Sequence, residues 1–159
     1  MKNIMKLNDT IIRTASLDDM KKLLFFEQEL IKAERPFDPT LKSSDVTYYD
    51  IDKMITSTEV ELLVAEVDGE VIGCGYARID HAKVYVKYAQ YGYLGFMYVD
   101  PKYRGLGVIH KIIERLTEWT TSKGITELRL EVYQANESAI KAYEKVGFSK
   151  HSVQMRKEV

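Results

Sequence analysis

The chain has 159 residues, of which 45% are hydrophobic and 30% are charged, and its formal net charge is −1 at pH 7. This length and composition predict one globular domain over residues 1–159, and the lack of a basic block argues against a nucleic-acid-binding surface. A single cysteine, Cys74, excludes an internal disulfide framework. The first residues lack an apolar signal segment and no apolar run reaches about 18 residues, so we expect a cytoplasmic protein that does not span a membrane.

The first third of the sequence predicts a short strand followed by two helices. Residues 10–14 fit a strand, and Ser16-Leu-Asp-Asp19 has the form of a capping box that opens a helix running to about Glu34. A second helix is expected within 48–57, where apolar residues recur at helical spacing.

Between these helices lies a loop, 35–41, that contains two prolines and therefore cannot continue a helix. It carries Arg35, Phe37 and Asp38, which are charged and aromatic groups on a connecting segment. Residues of these types on loops commonly contact ligands, so we take these three as candidate substrate-binding residues.

The clearest local pattern is a β-hairpin. Apolar-rich runs at 61–67 and 71–78 flank Asp68-Gly69, which is a strong signal for a two-residue turn. The following segment, 80–91, interleaves lysines with tyrosines and fits either an extension of the hairpin or a mobile loop over a pocket. Both alternatives stay open at this level.

The centre of the sequence predicts a strand, a tight loop and a helix. An aromatic-rich run at 93–99 predicts the strand, and Asp100-Pro101 ends it. The helix follows from apolar residues at helical spacing: Val108, Ile109, Ile112, Ile113, Leu116 and Trp119.

The tight loop has the composition of an anion-binding site. Gly105 and Gly107 lie at the start of the predicted helix, where the first backbone N–H groups have no intrahelical partner, and Arg104 adds a cation. This arrangement predicts a cradle for a pyrophosphate, although glycines that serve turn geometry alone give the same pattern.

Two other phosphate-binding motifs fit the loop less well. A P-loop requires lysine and Ser or Thr after its last glycine, whereas Val108 and Ile109 follow Gly107. A dinucleotide-binding fingerprint requires a third small residue where His110 stands. Glu131 does lie where a ribose-binding acid is expected, so a dinucleotide-binding enzyme remains an alternative.

The last third of the sequence predicts a strand, a helix and a final strand. Residues 126–132 alternate like a strand, Asn136 fits the N-cap of a helix that ends near Gly147, and 148–155 is the expected last strand. This order of elements predicts an α/β fold with a mixed central sheet flanked by helices.

Two segments resemble motifs of one enzyme family. Residues 97–107, Met-Tyr-Val-Asp-Pro-Lys-Tyr-Arg-Gly-Leu-Gly, resemble the strand and Q/R-x-x-G-x-G/A loop of the GCN5-related N-acetyltransferases, the GNAT family. Residues 136–148 are similar to the family's N-x-x-A-x-x-x-Y-x-x-x-G-F segment. Lys102 departs from the pattern, because it occupies the place that Gln or Arg usually holds. The resemblance implies the family's fold, a mixed and mainly antiparallel sheet flanked by helices.

The resemblance also implies an N-acetyltransferase that passes the acetyl group of acetyl-CoA, its co-substrate, directly to a primary amine of a small molecule or protein in a ternary complex. The glycine loop would hold the pyrophosphate, while backbone N–H groups splayed along the preceding strand would hold pantetheine and act as an oxyanion hole. Asn136 would hydrogen-bond the pantetheine arm or order the strand end, and Tyr143 would protonate the departing thiolate. The implied cofactor-binding set is Met97, Tyr98, Val99, Arg104, Gly105, Leu106, Gly107, Val108, Ile109, Asn136 and Tyr143.

The general base is missing from the family's usual place, where Gly95 and Phe96 stand. Glu131 is the first substitute, as a second catalytic residue beside Tyr143, and Asp38 is the next. A water relay is a further alternative. The missing base also leaves open a non-catalytic module that binds CoA as a sensor.

Metal ions and further partners receive weaker indications. His81, His110 and His151 lie too far apart for a metal-ligand spacing, so no metal is predicted. Members of the resembled family often form dimers, so a homodimer is an expectation. Part of a substrate wall is expected from among six of the tyrosines: Tyr48, Tyr49, Tyr85, Tyr88, Tyr91 and Tyr93.

Overall fold

A computed structural model describes residues 9–159 and contains a five-stranded sheet in the order β1-β2-β3-β4-β5. The strands are β1 (Ile11–Thr14), β2 (Val60–Val67), β3 (Glu70–His81), β4 (Gln90–Val99) and β5 (Leu128–Leu130). The helices are α1 (Met20–Glu34), α2 (Ile51–Thr56), α3 (Val108–Ser122) and α4 (Glu137–Lys145). Neighbouring strands from β1 to β4 are antiparallel and β5 is parallel to β4, which confirms the predicted mixed, mainly antiparallel sheet.

Of the two expectations about membranes, one concerns residues that the structure describes and the other does not. Within residues 9–159, no helix combines the length and the apolar character needed to cross a bilayer. The expectation that the first residues hold no signal segment concerns 1–8, which lie outside the described residues.

Ion pairs of Arg13 connect the segment at the start of α1 with β1 and β2. The Ser16 backbone N–H donates to Asp19 Oδ2 at 2.8 Å, as the capping-box pattern predicts, and a single 3-10 turn leads into α1. Arg13 donates to both carboxylate oxygens of Asp19, at 2.8 and 2.9 Å, and to Glu66 Oε2 at 2.8 Å. This two-point pairing holds the pKa of Asp19 below its ordinary value.

The predicted hairpin between β2 and β3 is confirmed. Asp68 and Gly69 have φ angles of 51° and 80°, the left-handed conformation that a two-residue turn of the primed type requires at both positions. The open question about 80–91 also has an answer, because β3 continues to His81 and β4 begins at Gln90. The two ends of the segment therefore extend the paired strands, and residues 82–89 form the loop that connects them.

Two hydrophobic cores cover the two faces of the sheet. Alternate residues of β2 divide between them, since Leu63 and Ala65 pack with α3 whereas Leu62 and Val64 pack with α1 and α2. Both faces of the sheet are thus buried. This leaves only its strand edges and loops to form a site.

The prediction of a final strand at 148–155 is wrong. Residues 149–159 have no regular structure and are exposed, and the apolar side chains of Val153 and Met155 are 70% and 89% accessible. The strand predicted at 126–132 shortens to β5, so Glu131 follows the strand instead of ending it. Because β5 has only three residues, it offers the C-terminal segment little backbone to pair with.

Candidate active site

A β-bulge interrupts β4 near its carboxyl end. Cys74 pairs with Tyr98 and Tyr76 pairs with Gly95, so Phe96 and Met97 together lie opposite one residue of β3. Phe96 has a φ angle of 51°, which is rare for a bulky side chain and marks the strained residue of the bulge.

The bulge changes which face of the sheet the strand's side chains enter. Leu94 packs in the core with α3, whereas Phe96 and Tyr98 pack in the core with α1 and α2. In a regular strand these three residues would share one face, so the extra residue inverts the alternation. Gly75 makes room for it, because a Cβ there would lie 2.6 Å from Met97 Sδ.

Strand β4 also loses its neighbour at the bulge. Its parallel pairing with β5 covers only Gly92, Tyr93 and Leu94, which lie opposite Leu128–Leu130. Within the described chain, no strand pairs with residues 95–99 on that edge. The edge therefore leaves backbone donors and acceptors open to a ligand, which is how a sheet edge recognises an extended molecule.

The loop after β4 has a fixed shape. Asp100 Oδ1 accepts a hydrogen bond from the Lys102 backbone N–H at 3.0 Å, and a single 3-10 turn spans Pro101–Tyr103. Arg104 Nε donates to the Val99 carbonyl oxygen at 2.9 Å, and its guanidinium carbon lies 5.7 Å from the centre of the Tyr98 ring. The cation is thereby held at the end of β4.

Gly105 and Gly107 supply the turn into α3. Their φ angles are 76° and 79°, so both positions require the left-handed conformation that glycine adopts without strain. Gly107 is the N-cap of α3 and Val108 is buried, whereas Leu106 is exposed between the two glycines. The first N–H groups of α3 lack intrahelical partners and lie beside this loop, which is a geometry that favours an anion.

Helix α4 presents the two remaining residues of the implied cofactor set. Asn136 Oδ1 accepts a hydrogen bond from the Ala139 backbone N–H at 3.3 Å, so this residue is the N-cap. Tyr143 packs on the α3 core, which includes Val99 and Val108, and its ring contacts Phe148 edge-on. Burial, with a smaller effect of Glu34, raises the pKa of Tyr143 to about 12, so its phenol is protonated at neutral pH.

The three candidate substrate residues lie in one folded loop beside the end of α1. Arg35 Nη1 donates to the Lys42 carbonyl oxygen at 2.7 Å, and the Phe37 ring stacks on Tyr133 at 6.0 Å between centroids. Asp38 accepts from the Tyr133 hydroxyl at 3.3 Å and from Arg156 at 3.2 Å. Hydrogen bonds from Thr40, ahead of the Arg156 interactions, lower the pKa of Asp38 to about 2.

Glu131, the first candidate for the base, belongs to a different segment from this loop. It is exposed just beyond β5, and its charge contributes, after burial, to raising the pKa of Tyr93 to about 12. Tyr93 belongs to the part of β4 that still pairs with β5. Glu131 is therefore near the closed end of the gap between the strands, and its role as a base stays a prediction.

Glu34 is the carboxylate that sequence reasoning missed. It ends α1 and is half-buried, and this burial raises its pKa above the ordinary value, against the opposing effect of the Tyr48 hydroxyl and with Asp38 adding to the rise. Its charge also raises the pKa of each of the nearby tyrosines Tyr48, Tyr49, Tyr133 and Tyr143. A glutamate at the end of an amphipathic helix is usually solvated, so the sequence carried no signal for it.

A second glutamate of α1 brings two of these tyrosines to Glu34. The buried Glu27 accepts hydrogen bonds through Oε1 from the backbone N–H groups of Tyr48, at 2.7 Å, and Tyr49, at 2.8 Å. The Tyr49 ring then stacks on the Phe96 ring at 4.6 Å between centroids. The hydroxyl oxygen of Tyr48 is buried and, among the described residues, has no partner at hydrogen-bond geometry.

Metal ligation is a separate question for this site. Across residues 9–159, no group of three or more His, Cys, Asp and Glu side chains is arranged to hold a metal ion. The polar groups that do converge are phenols, carboxylates and backbone amides, which suit proton transfer and the binding of an acyl compound.

Comparison with known proteins agrees with this geometry. A family model described as "Acetyltransferase (GNAT) family" matches residues 25–148. An IAA acetyltransferase of Azospirillum brasilense is 33% identical over 97 residues, which make up 60% of this chain and 58% of that protein. The chain thus spans less than two thirds of the length of this curated relative.

Solved structures share the fold over nearly the whole chain. The BH1408 protein of Bacillus halodurans, solved as a tetramutant, has a TM-score of 0.82 at 18% identity, with 94% of this chain and 99% of that chain covered. A "predicted acetyltransferase" from Clostridium acetobutylicum, solved with acetyl-CoA, has a TM-score of 0.67 at 18% identity, with 94% and 96% covered. The dinucleotide-binding alternative is wrong, because that fold requires a doubly wound parallel sheet.

Proposed function

The chain belongs to the acetyltransferase (GNAT) family, and we propose that it transfers the acetyl group of acetyl-CoA to a primary amine of a small molecule or a protein. Transfer is direct, within a ternary complex. One observation carries the proposal: the open edge of β4 begins at the bulge and leads to the glycine loop, and Tyr143 packs on the same core as Val99 and Val108. The acetyl-CoA bound to the neighbour from Clostridium acetobutylicum supports the choice of co-substrate.

The glycine loop fits a pyrophosphate. A Cβ placed on Gly105 would meet nothing within 4 Å, so the left-handed turn faces open space where phosphate oxygens can approach the backbone. Arg104 adds a cation that its bond to Val99 holds beside the loop. The proposed pyrophosphate-binding residues are Arg104, Gly105, Leu106, Gly107, Val108 and Ile109.

The open edge of β4 fits the pantetheine arm. Pantetheine carries two amides, and the backbone groups of Met97, Tyr98 and Val99 can pair with them as a neighbouring strand would. Asn136 lies at the start of α4, and its amide N–H₂ group remains available because its Oδ1 serves as the helix cap. Asn136 is proposed to bind the same arm.

Two groups of this chain then act on the thioester that acetyl-CoA supplies. Backbone N–H groups at the Phe96 bulge stabilise the negative charge that develops on the carbonyl oxygen during attack. Tyr143 donates its phenolic proton to the departing sulfur, and its raised pKa keeps that proton in place at neutral pH. Residues 1–159 are proposed to work as one domain, while the homodimer stays a prediction for sedimentation equilibrium to test.

Isothermal titration of acetyl-CoA, CoA and NAD into the protein tests the proposal, with two matched glycine variants. Gly105 and Gly124 have φ angles of 76° and 78°, and a Cβ on either meets nothing within 4 Å. Gly105→Ala and Gly124→Ala should therefore cost similar strain, roughly 1–2 kcal/mol of stability each. Only Gly105→Ala should weaken acetyl-CoA binding, because only Gly105 lies in the proposed cradle.

The outcomes of this titration are distinct. Acetyl-CoA binding that weakens in Gly105→Ala and persists in Gly124→Ala supports the cradle. Equal affinity in both variants would place the pyrophosphate elsewhere. Wild-type protein that binds no acetyl-CoA would overturn the proposed function. Binding of acetyl-CoA without release of CoA thiol in the presence of any amine would identify a sensor module instead of an enzyme.

A further inference from the structure

Near the open end of β4 lies a group of residues that have no part in the proposed transfer chemistry. We call this group the wall, and it consists of Glu34, Phe37, Asp38, Tyr48, Tyr49 and Tyr133. Glu27 ties the backbone of Tyr48 and Tyr49 to α1, and the Tyr49 ring lies on Phe96 at the bulge. The carbonyl oxygen of Glu34 accepts hydrogen bonds from the N–H groups of Phe37, at 2.9 Å, and Asp38, at 3.3 Å. The wall is thus fixed relative to the reacting end of the site.

Glu34 differs from Asp38 and Glu27, two other carboxylates near this wall. Asp38 is engaged by Thr40, Tyr133 and Arg156, and Glu27 is engaged by two backbone N–H groups. Within residues 9–159, Glu34 receives no backbone bond, and the polar group beside its carboxylate is the buried Tyr48 hydroxyl, which has no other partner. Because the two oxygens of a carboxylate can accept several hydrogen bonds, Glu34 keeps acceptor positions for a ligand that brings its own N–H donors.

We propose that Glu34 binds the ammonium group of the acceptor and takes its first proton, an inference that rests on the proposed function. The acceptor is then a cationic primary amine carried on an apolar or aromatic group. Tyr48, Tyr49 and the stacked pair of Phe37 and Tyr133 provide aromatic faces for that group and for the cation. The carboxylates of Glu34 and Asp38 disfavour an acceptor with a carboxylate next to its amine, because like charges would be brought together.

The proton balance closes with these residues alone. Glu34 takes one proton from the ammonium, and the neutral nitrogen forms the new C–N bond as the C–S bond breaks. Tyr143 gives its proton to sulfur, and the second proton lost by nitrogen restores the phenol. Glu34 then releases its proton to water, so one amide, one thiol and one proton leave the site. The raised pKa of Glu34 makes its carboxylate a stronger proton acceptor than that of an exposed glutamate.

The test compares Glu34→Gln with Glu34→Asp, using phenethylamine as the acceptor probe and release of CoA thiol as the assay. Removing a general base typically costs 100-fold or more, so Glu34→Gln should lose about 100-fold in kcat/KM. Glu34→Asp keeps a carboxylate and should recover part of the loss. Glu118→Gln, on the exposed face of α3, is the matched control and should keep wild-type kinetics.

Two further readouts separate a proton acceptor from a structural residue. The wild-type kcat/KM should fall as the pH drops through the raised pKa of Glu34, and Glu34→Gln should lack that acid limb. The groups that face Glu34 are Asp38, which stays ionised, and the tyrosines Tyr48, Tyr49, Tyr133 and Tyr143, which stay protonated, so none of them replaces the limb. L-Phenylalanine, which adds a carboxylate to phenethylamine, should be at least roughly tenfold poorer as an acceptor.

The result that overturns the inference is distinct from failure of the proposed function. If wild type binds acetyl-CoA but the CoA-saturated protein binds no phenethylamine in calorimetry, the acceptor assignment is wrong. If Glu34→Gln retains wild-type kcat/KM and its acid limb, Glu34 is not the proton acceptor. Absence of acetyl-CoA binding in wild type removes the proposed function itself. Melting temperatures of all variants verify that each one is folded.

Discussion

Helix α1 carries two glutamates seven residues apart on the same face, and their surroundings are opposite. Glu27, 1% accessible, accepts two short hydrogen bonds from backbone N–H groups of a distant segment. Glu34, two turns later, is half-buried beside phenols and another carboxylate, and within residues 9–159 no backbone N–H group donates to its side chain. The comparison shows that burial alone does not define a carboxylate's role. The donors around it decide whether it holds the fold together or is left to react.

The two positions also depend on each other. Because Glu27 fixes Tyr48 and Tyr49, it sets the wall that surrounds Glu34 and places the Tyr49 ring on the bulge. A carboxylate bound by backbone N–H groups thus organises the surroundings of one that lacks them. This division resembles the general pattern in which reactive groups are held by neighbours that are themselves fully hydrogen-bonded.

The largest expected effect comes from removing the satisfied glutamate. Glu27→Ala leaves two backbone N–H groups in a buried position without an acceptor, so the free energy of unfolding should fall by roughly 3–5 kcal/mol. Urea denaturation measures this loss. Glu27→Gln keeps an oxygen acceptor and should lose much less. A loss below about 1 kcal/mol in Glu27→Ala would mean that water replaces the carboxylate.

Features that depend on local sequence could be predicted, whereas the surroundings of Glu27 and Glu34, which depend on distant residues, could not. The hairpin at Asp68-Gly69 and the glycine loop at Gly105 and Gly107 follow local rules, since a left-handed backbone at each position selects glycine or aspartate. Glu34 follows no local rule. Its importance arises because Glu27 binds residues 21 and 22 positions away and because Asp38 meets Tyr133 across 95 positions.

The prediction of a strand at 148–155 is wrong for a related reason. Apolar and polar residues in 148–155 resemble a strand pattern, but strand formation depends on a partner with free backbone groups. Strand β5 is only three residues long, and Glu131 and the residues after it leave the sheet. Family resemblance implied that β4 splays from its neighbour, but nothing in the residue pattern of β4 specifies the bulge at Phe96 or the inverted alternation.

The second prediction concerns Tyr143, whose pKa is raised by burial and by the charge of Glu34. Tyr143→Phe removes the proposed proton donor and should lower kcat about 100-fold, while acetyl-CoA affinity stays within the range of wild type. Since the pKa of Tyr143 is raised to about 12, wild-type kcat should show no alkaline limb from this residue below about pH 11. Lys141→Gln, at an exposed position of the same helix as Tyr143, is the control. A limb near pH 10 in wild type that vanishes in Tyr143→Phe would contradict the buried environment described here.

The third prediction concerns the effect of Glu34 on the pH dependence of stability. The pKa of Glu34 is raised on folding, so between its ordinary value of 4.5 and its folded value the native state binds more protons than the unfolded state. Stability should therefore fall as the pH rises through this window. Glu34→Gln does not titrate, so its free energy of unfolding should exceed that of wild type at pH 7 and approach it at pH 4. Equal differences at both pH values would show that Glu34 has an ordinary pKa.

The smallest expected effect belongs to Asp38, whose pKa shift has the opposite sign. Its pKa is lowered from 3.8 to about 2 on folding, so the stability it contributes is present above pH 3.8 and is lost as the pH falls through about 2. Arg156→Ala removes one of its partners and should reduce the urea midpoint slightly at neutral pH, with less difference at high salt because Arg156 is 56% accessible. Lys157→Ala, the next residue, is the control. If Arg156→Ala and Lys157→Ala behave alike at every pH, the ion pair between Arg156 and Asp38 does not anchor the C-terminal segment to the loop at 35–41. The charges around Glu34 are then those of α1 and this loop alone.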